Sequence, residues 1–435
     1  MLDLDDIQGL MLNLPVKRPA QPCGRYTFLT FGRPDQGRAL VSRIVDQVGA
    51  AGSADESSAS FVYLAFTCGG LRALGIDEAS LSTFPGSFRD GMAAHAGELG
   101  DHGPSHPDRW EGGLASPDLH ALLLLLAGDP AERGRRIGQH QEILAALPGV
   151  SVLSALDVAH LATGREHFGY QDGITRVCVE GTGSQPAPGS DPAAKPGEFV
   201  LGYPDETGYA QTLPQPEWLS RNGSFLAYRR LYQDVAAFRD FLRRQAPEPQ
   251  EQELLAAKLL GRWRSGAPLA LAPTRDDPEL AADPQRNNDF DYAQIDPQGL
   301  ACPVGSHIRR VNPRGTIDNV RRRRLIRMGL PYGPPLPDGA PDDGVDRGFA
   351  LIFRCADLQR QFEVVQKVWV NDPKFQGLDH DKDPLAGDHD GSYNMTIQRR
   401  PLKKTLRGLP RFTTVKGGGY FFLPGLQALR KLAAG

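Results

Sequence analysis

Residues 120–156, HALLLLLAGDPAERGRRIGQHQEILAALPGVSVLSAL, decide the fold. His120 to Ala127 is a continuous apolar run of strand length, the pattern of a strand buried on both faces. Asp129-Pro130 supplies a capping carboxylate and a proline suited to a first helical turn, and Pro148-Gly149 stops the helix that follows. Val150 to Leu156 returns to strand. Upstream, Phe61 to Phe66 reads as a strand, and Arg25 to Phe31 as a β-rich alternation followed by Leu40, Val41, Ile44, Val45 and Val48 on one helical face. The order is βαββαβ with a loop-rich insertion between the second and third strands, which is the ferredoxin-like pattern.

The second half repeats this outline. Ser224 to Leu231 is predicted as a strand, Asp234 to Arg244 as a helix, Phe349 to Arg354 as a strand, Leu358 to Val370 as a helix and Tyr420 to Leu423 as the last strand. A long insertion from about Pro247 to Arg347 separates them. Between the halves, Gly181 to Gly197 is rich in glycine and proline with no apolar period, and reads as a flexible loop. The expected organisation is an N-terminal half, residues 1–180, and a C-terminal half, residues 198–435. An isolated ferredoxin-like sheet has one bare apolar face. An α+β fold of two such halves packed sheet to sheet removes both from water.

The 435 residues are 40% hydrophobic and 23% charged, with a formal net charge of -3. That balance gives no global field favouring nucleic acid or an anionic membrane surface. The longest apolar run, Ala121 to Ala127, is far below the roughly twenty residues a spanning helix needs. The first thirty residues carry Asp3, Asp5 and Asp6 and no basic segment followed by an apolar one, so no export signal is expected. Cys23, Cys68, Cys178, Cys302 and Cys355 are an odd number at wide spacing without C-x-x-C, which points away from a disulfide framework or zinc site and toward a reducing cytoplasm.

Two segments crowd chemistry-bearing residues together. Gly164-Arg-Glu-His-Phe-Gly-Tyr-Gln-Asp-Gly-Ile174 has no period, and its glycines Gly169 and Gly173 let the backbone pass close to a flat ligand with Asp172 pointing inward. The bland reading of Asp172-Gly173 is a surface turn. In Gly299-Leu-Ala-Cys-Pro-Val-Gly-Ser-His-Ile-Arg-Arg-Val-Asn-Pro-Arg314, His307 sits between small residues and a basic stretch. A single imidazole does not make a zinc site, but it can be the sole protein ligand of a haem iron, with Arg309 and Arg314 beside it to pair with the propionates. An isolated histidine is otherwise most often structural. The arginine run between Arg309 and Arg327 reads either as a solvated or nucleic-acid-binding patch or, at Leu325-Ile-Arg327, as an arginine drawn inside.

Together these pieces resemble the dye-decolorizing peroxidase family. The resemblance runs from Asp6-Ile-Gln-Gly9 through Gly169-Tyr-Gln-Asp-Gly173 and Ala301-Cys-Pro-Val-Gly-Ser-His-Ile-Arg-Arg310 to Leu325-Ile-Arg-Met-Gly-Leu-Pro-Tyr-Gly333 and Tyr420-Phe-Phe-Leu-Pro424. It implies a dimeric α+β barrel with one haem b per chain in the C-terminal half. It further implies Asp172 as distal acid/base, Arg327 as distal arginine and His307 as proximal ligand. Length and long insertions look like the larger intracellular classes. The matching segment implies Asp383 as the carboxylate behind His307, with Asp379 and Asp381 as alternatives in the same stretch.

The expected activity is reduction of hydrogen peroxide at the expense of a small aromatic reductant. Asp172 would move a proton between the peroxide oxygens, and Arg327 would stabilise the charge on the leaving oxygen. Trp263, Trp369, Tyr332 and Tyr393 could relay electrons from reductants too large to enter, although each reads first as core packing. The competing expectations are a protein that stores haem or handles its iron, and a peroxygenase or oxygenase with a dedicated metabolite. An oligomer is compatible with all of these.

Overall fold

The computed structural model describes residues 1–12, 22–52, 60–186 and 190–435. Strand β1 (Cys23–Phe31) leads into the helix Pro34–Ile44, and β2 (Ser60–Phe66), β3 (Ala121–Ala127), the helix Pro130–Ala145 and β4 (Val150–Ala159) follow. Asp129 caps its helix as its position implies, accepting from the amides of Ala131 and Glu132 at 2.8 and 2.9 Å. The second half contains β5 (Ser224–Gln233), the helix Val235–Gln245, β6 (Ile326–Tyr332), β7 (Gly348–Cys355), a helix of wide π turns (Leu358–Glu363 and Val365–Val370), a small hairpin of β8 (Met395–Ile397) and β9 (Lys404–Leu406), and β10 (Thr413–Leu423). The insertion between β2 and β3, expected as loop, carries short helices such as Cys68–Ala73 and Glu78–Ser82.

The strands pair in the order β4-β1-β3-β2 in one half and β10-β5-β7-β6 in the other, the same antiparallel ferredoxin-like order twice. The two sheets do more than face one another. They join edge to edge where Phe66 of β2 pairs with Phe422 of β10, and β4 lies alongside β6 at the other end, so the eight strands roll into a barrel. Its interior is the shared core. Tyr26 and Phe28 of β1 meet Tyr228 of β5 at ring-centroid distances of 5.3 and 5.1 Å, and Phe28 meets Phe421 of β10 at 6.4 Å.

Strand β6 lies inside what the sequence assigned to the insertion, which therefore ends before Ile326. Gly329 and Pro331 hide it, because both residues are depleted in strands. Pro331 is tolerated because, among the described residues, β6 hydrogen-bonds to β7 alone and its missing donor costs no ladder bond. Residues 187–189 of the Gly181 to Gly197 segment lie outside the described residues. The flanking backbone is fastened, with Val179 bridged to Ala194 and Lys195 paired with Glu180 at 2.8 Å.

Candidate active site

Because side chains alternate along a strand, one face of the C-terminal sheet points into the barrel and the other outward. Arg229, Leu231 and Gln233 of β5, Arg327 of β6, and Phe349, Leu351 and Phe353 of β7 form the outer face and line a cavity of about 410 Å³. A bulge between Val415 and Gly417 shifts the alternation of β10, so Thr413 and Val415 line the cavity and, beyond the bulge, Tyr420 also points outward while Phe421 enters the barrel. The π-wound helix forms the facing wall through Phe362, Val365 and Trp369. His307, at the start of the short helix His307–Val311, and Asp172, in the loop after β4, close the site.

The Asp172 loop is held in several places. The Glu166 carboxylate accepts from the amides of Phe168 and Tyr170 at 3.0 and 2.9 Å and from Gln233 Nε2 at 2.6 Å. His167 Nε2 lies 2.8 Å from the Tyr332 carbonyl at the end of β6. Gly169 and Gly173 adopt φ of 95° and 79°, the left-handed backbone that glycine permits at least cost. So anchored, Asp172 receives both terminal nitrogens of Arg327, with Nη1 3.3 Å from Oδ2 and Nη2 on Oδ1. Burial opposes the Arg327 charge, but Asp172 outweighs it and holds the guanidinium above its ordinary value. The 38% of the Arg327 side chain that remains accessible forms part of the cavity wall.

On the His307 side, Nδ1 sits 2.9 Å from Asp383 Oδ2. The other oxygen of Asp383 accepts from the amides of Leu385 and Ala386 at 2.9 and 2.8 Å. Burial pushes this carboxyl up, yet His307 and the Ala386 amide, with Arg310 farther off, prevail and keep it below the usual carboxylate range. Asp381, one of the alternatives, instead accepts from the Thr396 amide at 2.7 Å.

Arg309 and Arg314 do not line the cavity, which corrects their expected place beside it. Two residues along a helix is a turn of about 200°, so with His307 facing inward Arg309 faces away. It lies over the Tyr292 ring at 4.5 Å and pairs with Asp296 at 3.1 Å. Arg314 donates to the Asn288 carbonyl at 2.7 Å and stacks over Phe290 at 4.1 Å. Other arginines take the wall. Arg229 pairs with Asp101 at 2.6 Å, and Arg324 and Arg411 pair with Asp191 and Asp388. Arg262 and Arg323 are different: they line the cavity, donate to backbone carbonyls and, for Arg262, the Asn288 side chain, and have no carboxylate partner among the described residues. Burial, and then Arg314, lowers Arg262 to about 10. The alternation Arg229-x-Leu231-x-Gln233 was the available signal for the first of these; nothing local marks Arg262.

A profile for the DyP dimeric alpha+beta barrel domain matches residues 40–156. A dye-decolorizing peroxidase from Mycena epipterygia is 32% identical over 425 residues, covering 88% of this chain and 78% of that one. Peroxidase 2 from Mycetinis scorodonius is 33% identical over 399 residues, with 85% and 75% covered. Among solved structures, a dye-decolorizing peroxidase in complex with 2,6-dimethoxyphenol superposes with a TM-score of 0.86 at 28% identity over the full length of both chains. With the barrel and the cavity in place, these similarities establish that the chain belongs to the dye-decolorizing peroxidase family.

Proposed function

We propose that this peroxidase holds one haem b through His307 and reduces hydrogen peroxide while oxidising dyes, phenols or similar small aromatic reductants. The observation that carries the reading is one cavity with His307 on its wall, its Nδ1 engaged by Asp383, and with the Asp172–Arg327 pair on the same lining. The surroundings fit the group. Leu231, Leu351, Phe353, Phe362 and Trp369 give apolar walls for a flat macrocycle, and Arg262 and Arg323 offer charge without a carboxylate for its propionates. The cysteines lack the C-x-x-C-H spacing of covalent attachment, which supports the b type. When bound, the haem supplies the redox centre that passes two electrons from reductant to peroxide.

The chain's own residues have separable tasks. Asp383 fixes the His307 tautomer by accepting from Nδ1 and leaves Nε2 as the metal-binding nitrogen. Asp172 takes a proton from one peroxide oxygen and returns it to the other. Arg327 keeps Asp172 oriented and stabilises negative charge on the departing oxygen. Storage of haem would not need that pair. A related structure holds 2,6-dimethoxyphenol, which supports a phenolic reductant here. The five free cysteines support a reducing compartment such as the cytoplasm, which cell fractionation tests. The test of the activity is the absorption spectrum of haem-loaded protein before and after one equivalent of peroxide. A Soret band that changes with peroxide and is restored by a phenol is expected; a band indifferent to peroxide would overturn the reading.

A further inference from the structure

Tyr420 opens the Tyr420-Phe-Phe-Leu-Pro424 segment, which no step above uses, and its phenol is buried against a carboxylate. It is 2% exposed, and its hydroxyl donates to Glu363 Oε1 at 2.9 Å. Neighbours on the π-wound helix divide the contacts: Phe362 forms cavity wall and packs edge-on against the Tyr420 ring at 6.0 Å, while Glu363 takes the phenolic proton's hydrogen bond. Wide turns of this kind recur at functional sites.

Titratable side chains lead from the phenol toward the surface. Glu363 Oε1 is 3.7 Å from His95 Nδ1, and His95 Nε2 is 3.6 Å from Asp90 Oδ2. Side-chain exposure rises along this series from 8% at Glu363 to 20% at His95 and 59% at Asp90, so the series runs from core to surface. Burial and the adjacent carboxylate raise the phenol far above its ordinary value, so it does not ionise by itself.

Resting on the peroxidase reading, we propose that Tyr420 is an internal electron donor to the oxidised haem site when no external reductant is bound. Peroxide is the oxidant. One electron leaves the Tyr420 ring by way of Phe362, the phenolic O–H bond breaks, and the proton forms a bond to Glu363 Oε1, with His95 and the exposed Asp90 lying beyond it. The product is a neutral tyrosyl radical and a protonated Glu363. An external reductant reverses the step by returning an electron, and Glu363 returns the proton. A positioned carboxylate makes this a concerted transfer and avoids a charged phenol radical in an apolar core.

Freeze-quenched electron paramagnetic resonance of the haem-loaded protein, after one equivalent of peroxide and without reductant, tests the step, with the Soret band followed in parallel. The wild type should accumulate a tyrosyl signal. Tyr420→Phe, which keeps the ring, should lose it. Glu363→Gln should form it about 100-fold more slowly, the low end of what a positioned base contributes. Thermal melting and the resting Soret band verify that each variant is folded and loaded. If Tyr420→Phe keeps the wild-type signal, or Glu363→Gln forms it at the wild-type rate, the inference is wrong. A wild-type Soret response with no organic radical overturns the inference and leaves the peroxidase reading standing. No Soret response overturns both.

Discussion

The two halves share a strand order but dress their outer faces differently. On the N-terminal sheet the Pro34–Ile44 helix lies so close that a Cβ on Gly37 would meet the Phe31 ring at 2.6 Å, and Leu40, Val41 and Ile44 are buried beneath it. On the C-terminal sheet the Val235–Gln245 helix turns its aromatics elsewhere. Phe238 packs on Phe168 of the Asp172 loop at 4.8 Å, and Phe238 and Phe241 pack on Phe412 at 5.3 and 5.4 Å, in an apolar cluster separate from the barrel core. The helix thus supports the site loop instead of covering the strands, and the outer face that begins with Arg229 and Leu231 remains open as a cavity wall. One topology yields a sealed layer or a binding site according to where its helices bury their apolar faces.

The largest effect should come from separating the halves. Residues 1–180 and 198–435 expressed alone each expose half of a barrel interior built by Tyr26, Phe28, Tyr228 and Phe421. Neither should show a cooperative thermal melt by circular dichroism. If both melt cooperatively as soluble monomers, the shared core is wrong. Next, Arg309→Met strands Asp296 without its buried partner and should cost about 3–5 kcal/mol in urea unfolding while leaving the Soret band in place. A haem-deficient but stable variant would instead return Arg309 to the cofactor site.

Within the cavity, Arg327→Leu should slow the stopped-flow reaction with peroxide by about 10²–10³-fold at every pH. Asp172→Asn should slow it by at least about 10²-fold, because it deletes the group that accepts and returns the proton. Rates within about threefold of wild type for both would remove these residues from the chemistry. Asp383→Asn is the smallest, about 10–100-fold in haem affinity or turnover. Its pH signature follows from the sign of the shift. A carboxyl held below its ordinary value of about 3.9 contributes stability above that pH and loses it only as pH falls through the lower folded value. The contribution of Asp383 to the stability of the haem-free wild type should therefore persist near pH 4 and be lost below it in urea unfolding, and Asp383→Asn should lack that pH-dependent loss.

The parts legible in the sequence were those fixed by local chemistry. The run Ala121 to Ala127 read as a buried strand from its length and continuous apolar character, and the Asp129-Pro130 cap placed the start of its helix to within a residue. Asp172, His307 and Arg327 stood out because charged or titratable residues were set among glycines and apolar neighbours. What escaped depended on three-dimensional context. Strand β6 is disguised by Gly329 and Pro331. The positions of Arg309 and Arg314 depend on the facing of a five-residue helix that no periodicity can fix. Arg262 reaches the cavity from a loop more than forty residues before His307, through contacts with Asn287 and Asn288 that no local pattern encodes.

His307 is the residue proposed to hold the haem. Wild type and His307→Ala, each given one equivalent of haem, should be compared by Soret absorption per chain after gel filtration, with circular dichroism as the check on folding. The expected result is folded His307→Ala with little or no retained haem beside a fully loaded wild type. A folded His307→Ala that retains full haem with an unchanged Soret band would contradict it.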